Sequence, residues 1–178
     1  GLEVNWYNGG GTDVVIPSMI NGKKVVAIAD NAFTSDGIIP TTISNTKKAS
    51  ISYLYNIDNK KKVTLLNDQP QNIGLGITSV VIPNTVTSIG EHAFYDNRLV
   101  ELVIPSTVKS IGQSAFKNNK LTEVTIPSSV TSIGDWAFAG NRDITIINNS
   151  SIENSIDVWD NIIGTCSING NVITYLPK

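Results

Sequence analysis

Residues Thr78–Leu99, Val100–Leu121 and Thr122–Asp143 read TSVVIPNTVTSIGEHAFYDNRL, VELVIPSTVKSIGQSAFKNNKL and TEVTIPSSVTSIGDWAFAGNRD: one 22-residue unit written three times without insertion or deletion. Self-similarity at a fixed period of this size predicts a solenoid in which each repeat stacks only on its neighbours. Within each copy, Leu99/Leu121, Val80/Leu102/Val124 and Ile82/Ile104/Ile126 alternate with other residues, the period-two pattern of a strand with one buried face. Each repeat is therefore expected to give one short strand to a parallel sheet. Pro83, Pro105 and Pro127 end those strands, because proline has no N–H for the ladder.

Val86/Val108/Val130 and Ile89/Ile111/Ile133 then return the chain to the core. Gly90, Gly112 and Gly134 are expected at a bend of positive φ, which glycine adopts at little cost. Ala93/Ala115/Ala137 mark a tight position, and Phe94/Phe116/Phe138 should stack into an aromatic column. Asn97, Asn119 and Asn141 recur two residues before the leucine position. A buried amide is costly unless hydrogen-bonded, so this column predicts a ladder serving backbone N–H and C=O groups of adjacent coils.

Working outward, Asp13–Pro17 matches the VVIP segment, and Asn21-Gly22 between apolar runs is a strong hairpin signal. Residues 12–33 thus read as an irregular first repeat with a hairpin extension. Leu2–Tyr7 reads as an edge strand, followed by a glycine-rich turn at Gly9–Gly11. From Ile38 to Gly76 the repeat is lost; Ile39–Ile43 resembles a worn IPxxV segment, and Ile51–Tyr55 and Val63–Leu66 suggest a second hairpin with a polar tip. The register resumes at Ile77. After Asp143 only Ile144 and Ile146 continue the pattern, since the next core position falls on Asn148. The remaining tail reads as a cap over the last coil. The expected division is a single domain, 1–178, comprising an irregular N-terminal repeat (1–40), an insertion or degenerate repeat (41–76), three regular repeats (77–147) and a C-terminal cap (148–178).

The pattern LxxVxIPxxVxxIGxxAFxxN resembles the BspA-like class of bacterial leucine-rich repeats, in a 22-residue form with asparagine where other members have cysteine. The resemblance covers Thr78–Asp143 and Thr12–Phe33, about half the chain. It implies a leucine-rich-repeat solenoid, right-handed, with a parallel β-sheet on one face and short helical turns. It also implies a bacterial cell-surface or secreted protein whose relatives act in adhesion and protein binding, and it carries no catalytic residues.

Composition narrows the function further. The formal charge of the 178-residue chain is −2 with pI near 5.3, which gives no electrostatic reason to bind nucleic acid or an anionic membrane. No apolar run reaches the ~20 residues needed to span a bilayer. The chain starts at Gly1 with no visible signal peptide, so either a leader has been removed or this is a segment of a longer protein. Cys166 is the single cysteine and can form no internal disulfide. His92, the only histidine, shares a variable column with Ser114 and Trp136 and reads as a surface residue, distant in sequence from Cys166. Neither clustered metal ligands nor a twelve-residue calcium loop is present, so no cofactor or metal is expected.

What the copies do not share is the candidate site. Val15, Val81, Val103, Thr125 and Ile147 fall in one strand column that should face outward, with Glu101 and Glu123 beside it. Valines on a solvent face point to a partner-binding strip; β propensity, or cover from residues 38–76 or a neighbouring domain, would explain them equally. Arg98/Lys120/Arg142 and Glu101/Glu123 form ladders of opposite sign, expected to pair weakly. A second candidate lies in the insertion, where Tyr53 and Tyr55 accompany Lys60, Lys61 and Lys62. The expected activity is non-enzymatic binding of a protein or glycan, with a structural spacer or display domain as the alternative.

Overall fold

The computed structural model describes residues 2–4, 12–34 and 75–176, and the expectations for 35–74, the second hairpin included, lie outside those residues. The described elements are β1 (Leu2–Val4), β2 (Asp13–Val15), β3 (Met19–Ile20), β4 (Lys23–Ile28), β5 (Ser79–Val81), β6 (Ser88–Ile89), β7 (Ser110–Ile111), β8 (Glu123–Ile126), β9 (Ser132–Ile133), β10 (Thr145–Asn148), α1 (Ile156–Ile163), β11 (Cys166–Asn169) and β12 (Val172–Tyr175). The chain is mostly short strands with one helix among the described residues.

The coils contribute strands to two faces rather than one. On the first, β2 pairs in parallel with β5, and β8 pairs in parallel with β10. On the second, β4, β6, β7 and β9 follow one another in parallel, joining Ile28, Ile89, Ile111 and Ile133 across four coils. Sequence reading assigned a single strand per repeat because the two-residue Ser-Ile strands are too short to show alternation. The first face is also interrupted: residues 101–104 carry no strand, although their ELVI pattern matches the copies on either side. Nothing in the local sequence explains that break.

Between the faces lies the core. Ile77, Leu99 and Leu121 are fully buried, as are Val86, Val108 and Val130. Phe33, Phe94, Phe116 and Phe138 stack in parallel, with successive ring centroids 4.6, 5.3 and 5.5 Å apart. Truncating one such ring to alanine costs about 3–5 kcal/mol. The asparagine ladder is present and fully used. Asn119 Oδ1 accepts from the Leu99 N–H at 3.0 Å, while its Nδ2 donates to Phe94 and Phe116 carbonyls at 2.9 and 3.0 Å. Asn97 and Asn141 repeat this one coil earlier and later, accepting from Ile77 and Leu121 N–H groups.

The glycine expectation is corrected. Gly90, Gly112 and Gly134 are not among the residues of positive φ. They are required by close approach instead: a Cβ on Gly112 would lie 2.5 Å from the Glu91 nitrogen and Gly90 carbonyl carbon, and one on Gly90 would lie 2.5 Å from Ala29 and Asp30 backbone atoms. The left-handed bend falls two residues later, at Asn31 (φ 57°), His92 (53°), Ser114 (52°) and Trp136 (57°). A second left-handed column runs through Asp96, Asn118 and Gly140.

Both ends depart from the repeat as local chemistry dictates. At the N-terminal end, β3 and β4 pair antiparallel around Asn21 (φ 49°) and Gly22 (φ 74°), both left-handed as a type I′ hairpin turn demands. β1 pairs in parallel with β4 at the edge of the second face. At the other end, Asp143 takes the leucine position with φ 55°, and that turn lets Ile144 bury in its place. Asn148 is buried too, its Nδ2 donating to the Ile152 carbonyl at 2.9 Å and its Oδ1 accepting from the Ser150 N–H at 3.0 Å.

Helix α1 starts at Ser155, whose side chain accepts from the Val158 N–H, and it buries Trp159, Ile162 and Ile163. Its Asn161 and Ile162 carbonyls accept from the Trp136 and Phe138 N–H groups at 2.9 and 3.3 Å. Earlier in the chain those donors bond the next coil: His92 to Gln113 at 2.9 Å and Phe94 to Ala115 at 2.8 Å. The helix thus stands where a fifth coil would be. β12 then pairs antiparallel with β10 and with β11, extending the first face by a hairpin.

Candidate partner-binding face

The first face presents its outward column in register. Val15 lies opposite Val81 across the β2–β5 pair, and Thr125 lies opposite Ile147, which in turn lies opposite Val172. Val15, Val81 and Val103 are 70%, 57% and 78% exposed. Thr125 is exposed and Ile147 half-buried where the C-terminal hairpin comes alongside. Glu101 and Glu123 are exposed in the neighbouring column. At its N-terminal end this face is fixed by Asp13, whose Oδ1 accepts from the Ser79 hydroxyl at 2.6 Å.

Exposed Val100 widens the apolar strip and was missed by sequence reading, because its column holds Thr78 and Thr122 in the other copies.

The charge ladders do not pair: among the described residues Arg98, Lys120 and Arg142 make no ion pair with Glu101 or Glu123. All five side chains are exposed, and holding two long side chains together in water gains too little to offset their lost freedom. They remain separate rows of opposite charge along the strip.

Other candidate groups are scattered. His92 is half-buried and meets Tyr95 edge-on at 5.5 Å, and Ser114 in the same column is buried, so this column is not a uniform surface row. Trp136 is 47% exposed with the Lys117 ammonium 4.7 Å from its ring centroid, a cation–π contact that the sequence signals only as one aromatic among small and polar residues. Cys166 is buried on β11: burial, and secondarily the Asp160 carboxylate, raise its thiol pKa above the ordinary value. That keeps it a poor nucleophile at neutral pH. Among the described residues no group of His, Cys, Asp or Glu could hold a metal ion, and no helix is long and apolar enough to cross a membrane. Tyr53, Tyr55, Lys60, Lys61 and Lys62 lie outside the described residues.

Stacked coils with an asparagine ladder, a phenylalanine column and an open strand face define a repeat protein of the leucine-rich class. The family model for the BspA type leucine rich repeat region matches residues 71–174 in six copies, and the chain belongs to that family. The match takes in the C-terminal tail, where the LxxVxIP segment is absent, and leaves out residues 12–34, whose strands nevertheless pair in register with the matched coils. No curated protein matches the chain. Among crystal structures it is similar to a leucine-rich-repeat protein of T. pallidum, at 23% identity and TM-score 0.46, over 76% of this chain and 57% of that one. It is also similar to a leucine-rich-repeat protein of Bacteroides ovatus (25%, TM-score 0.43, 75% and 33%) and a leucine rich cell surface protein of Faecalibacterium prausnitzii (22%, 0.35, 84% and 50%). The chain spans between a third and somewhat over half the length of these proteins.

Proposed function

We propose that this chain is a non-enzymatic protein-binding module of a bacterial cell-surface or secreted protein, docking its partner on the column Val15, Val81, Val103, Thr125 and Ile147 with Glu101 and Glu123 at its side. The observation that carries this reading is three valines in one column, each more than half exposed. Water-facing strand positions accept polar residues at no cost, so an aligned apolar row is better matched to a desolvated interface than to solvent. Membership of a repeat family built to present extended surfaces supports the same reading. It takes the 178 residues as one right-handed solenoid domain, with Tyr53, Tyr55 and Lys60–Lys62 of the insertion at 41–76 as a second candidate contact.

The test is capture of cell-surface proteins on the immobilised chain, in parallel with a glycan array. The wild-type chain should retain a protein that the V81K/V103K variant loses, with circular dichroism and melting temperature unchanged. Glycan binding without protein capture would replace the protein partner with a carbohydrate, and a uniformly negative screen would favour a spacer that displays other domains.

A further inference from the structure

The second face carries a groove that the proposed partner strip does not use. It has a volume of about 630 Å³ and runs across four coils, from Ile28 and Asp30 through Gly90 and Gly112 to Gly134 and Asp135. Its floor is bare backbone, because the glycine column can carry no side chain there. One wall is Ser88, Ser110 and Ser132; the other is Asp30, Glu91, Gln113 and Asp135. Among the described residues no basic side chain lines it.

We infer that this groove docks a cationic extended polypeptide segment, one carrying two or three lysine or arginine side chains. Charge and shape both argue for that occupant. Three carboxylates line one wall with no compensating cation among the described residues, so the groove concentrates negative potential over a concave surface. A single metal ion does not fit the pattern, since the carboxylates are spread along the groove and form no cluster able to ligate one. With coils spaced as the phenylalanine rings are, the acidic wall is roughly 15 Å long. That is the length of about four to five residues of extended chain, enough to bring alternate basic side chains to the wall. Two of the four wall residues are already committed: Asp30 accepts from the Glu91 N–H at 2.8 Å, and Asp135 accepts from Asn161. The Glu91 carboxylate, the Gln113 side-chain amide and the three serine hydroxyls have no hydrogen-bond partner among the described residues and are available to a ligand. The second face is also paired without interruption through β4, β6, β7 and β9, so the groove is held by the more regular of the two ladders.

The test is a ¹⁵N-HSQC titration of the full chain with a seven-residue peptide in which three lysines alternate with serines. Shifts should concentrate on the amides of Ser88, Gly90, Ser110, Gly112, Ser132 and Gly134 and should weaken with added salt. Exposed Glu91 and Gln113 are the residues to change. E91K should weaken binding by roughly 3- to 10-fold, as expected when one surface attraction is replaced by a repulsion, and Q113E should tighten it by about 2- to 5-fold, as expected for one surface charge pair added. E101K/E123K on the other face should leave it unchanged. The inference is overturned if the peptide shifts nothing at millimolar concentration, if shifts map to the valine strip, if the E91K and E101K/E123K variants weaken binding equally, or if a glutamate-serine peptide binds as well. Spermine matching the peptide at equal charge would also overturn it, because the groove would then be reading charge without chain.

Discussion

Gly112 and Asp96 occupy positions whose backbone requirements invert what residue type alone suggests. Gly112 has ordinary φ but lies against the coil before it, so a methyl group there meets backbone that cannot move without separating two coils. Gly112→Ala is expected to destabilise the chain by about 1–3 kcal/mol or more, the range for forcing a group into packed space. Asp96, at φ 55°, takes a left-handed conformation that glycine adopts freely. Asp96→Gly should fall within about 0.5 kcal/mol of wild type, strain relief offsetting the greater freedom of the unfolded chain. Urea unfolding of both variants checks the pair; a tolerated Gly112→Ala would mean that coil separation is looser than the packing shows. The asparagine column shows the same dependence on place. Asn148 occupies what would be the next apolar position, and it is buried with both side-chain amide groups engaged in a local turn rather than in the ladder.

At the scale of elements, helix α1 and the β11–β12 hairpin together close an array that has no intrinsic reason to stop. The helix supplies carbonyls to Trp136 and Phe138, and β12 covers the edge of β10. A chain ending at Asn149 would expose those N–H groups, the Phe138 ring and an unpaired strand edge. Such a truncation is expected to self-associate, seen as mass above the monomer in light scattering after size exclusion. A monodisperse, fully folded monomer would show that the tail contributes little. This helix was readable in principle. Ser155 followed by Ile156, Trp159, Ile162 and Ile163 has a capping residue and helical spacing. Without neighbouring copies for comparison, however, the same residues read only as unassigned apolar ones. The interruption at 101–104 lacked any signal, since pairing there depends on how whole coils lie against each other and the residues alternate as faithfully as their neighbours.

At the scale of the whole molecule, periodicity made the core legible and symmetry hid its partition. Identical spacing in three copies located the phenylalanine stack, the asparagine ladder and the valine column, because a position repeated every 22 residues must meet itself on the next coil. The same spacing could not say that Ser-Ile pairs form a second ladder, nor that Arg98 and Glu101 stay apart, because both depend on the path of the chain between columns. The outward valines were legible from alternation alone; the groove was not, since its floor is defined by missing side chains.

The helix carbonyls that replace a fifth coil have a consequence for evolution of the chain. Because the last coil sees the same acceptors whether coil or helix follows, length is not encoded in any repeat. A duplicate of residues 100–121 inserted after Leu121 should fold as one more storey, raising the unfolding free energy and the urea m-value together, and adding one more valine to the outward row. Growth or loss of whole units by recombination would then tune the reach of the surface in steps of about 5 Å without redesigning either end.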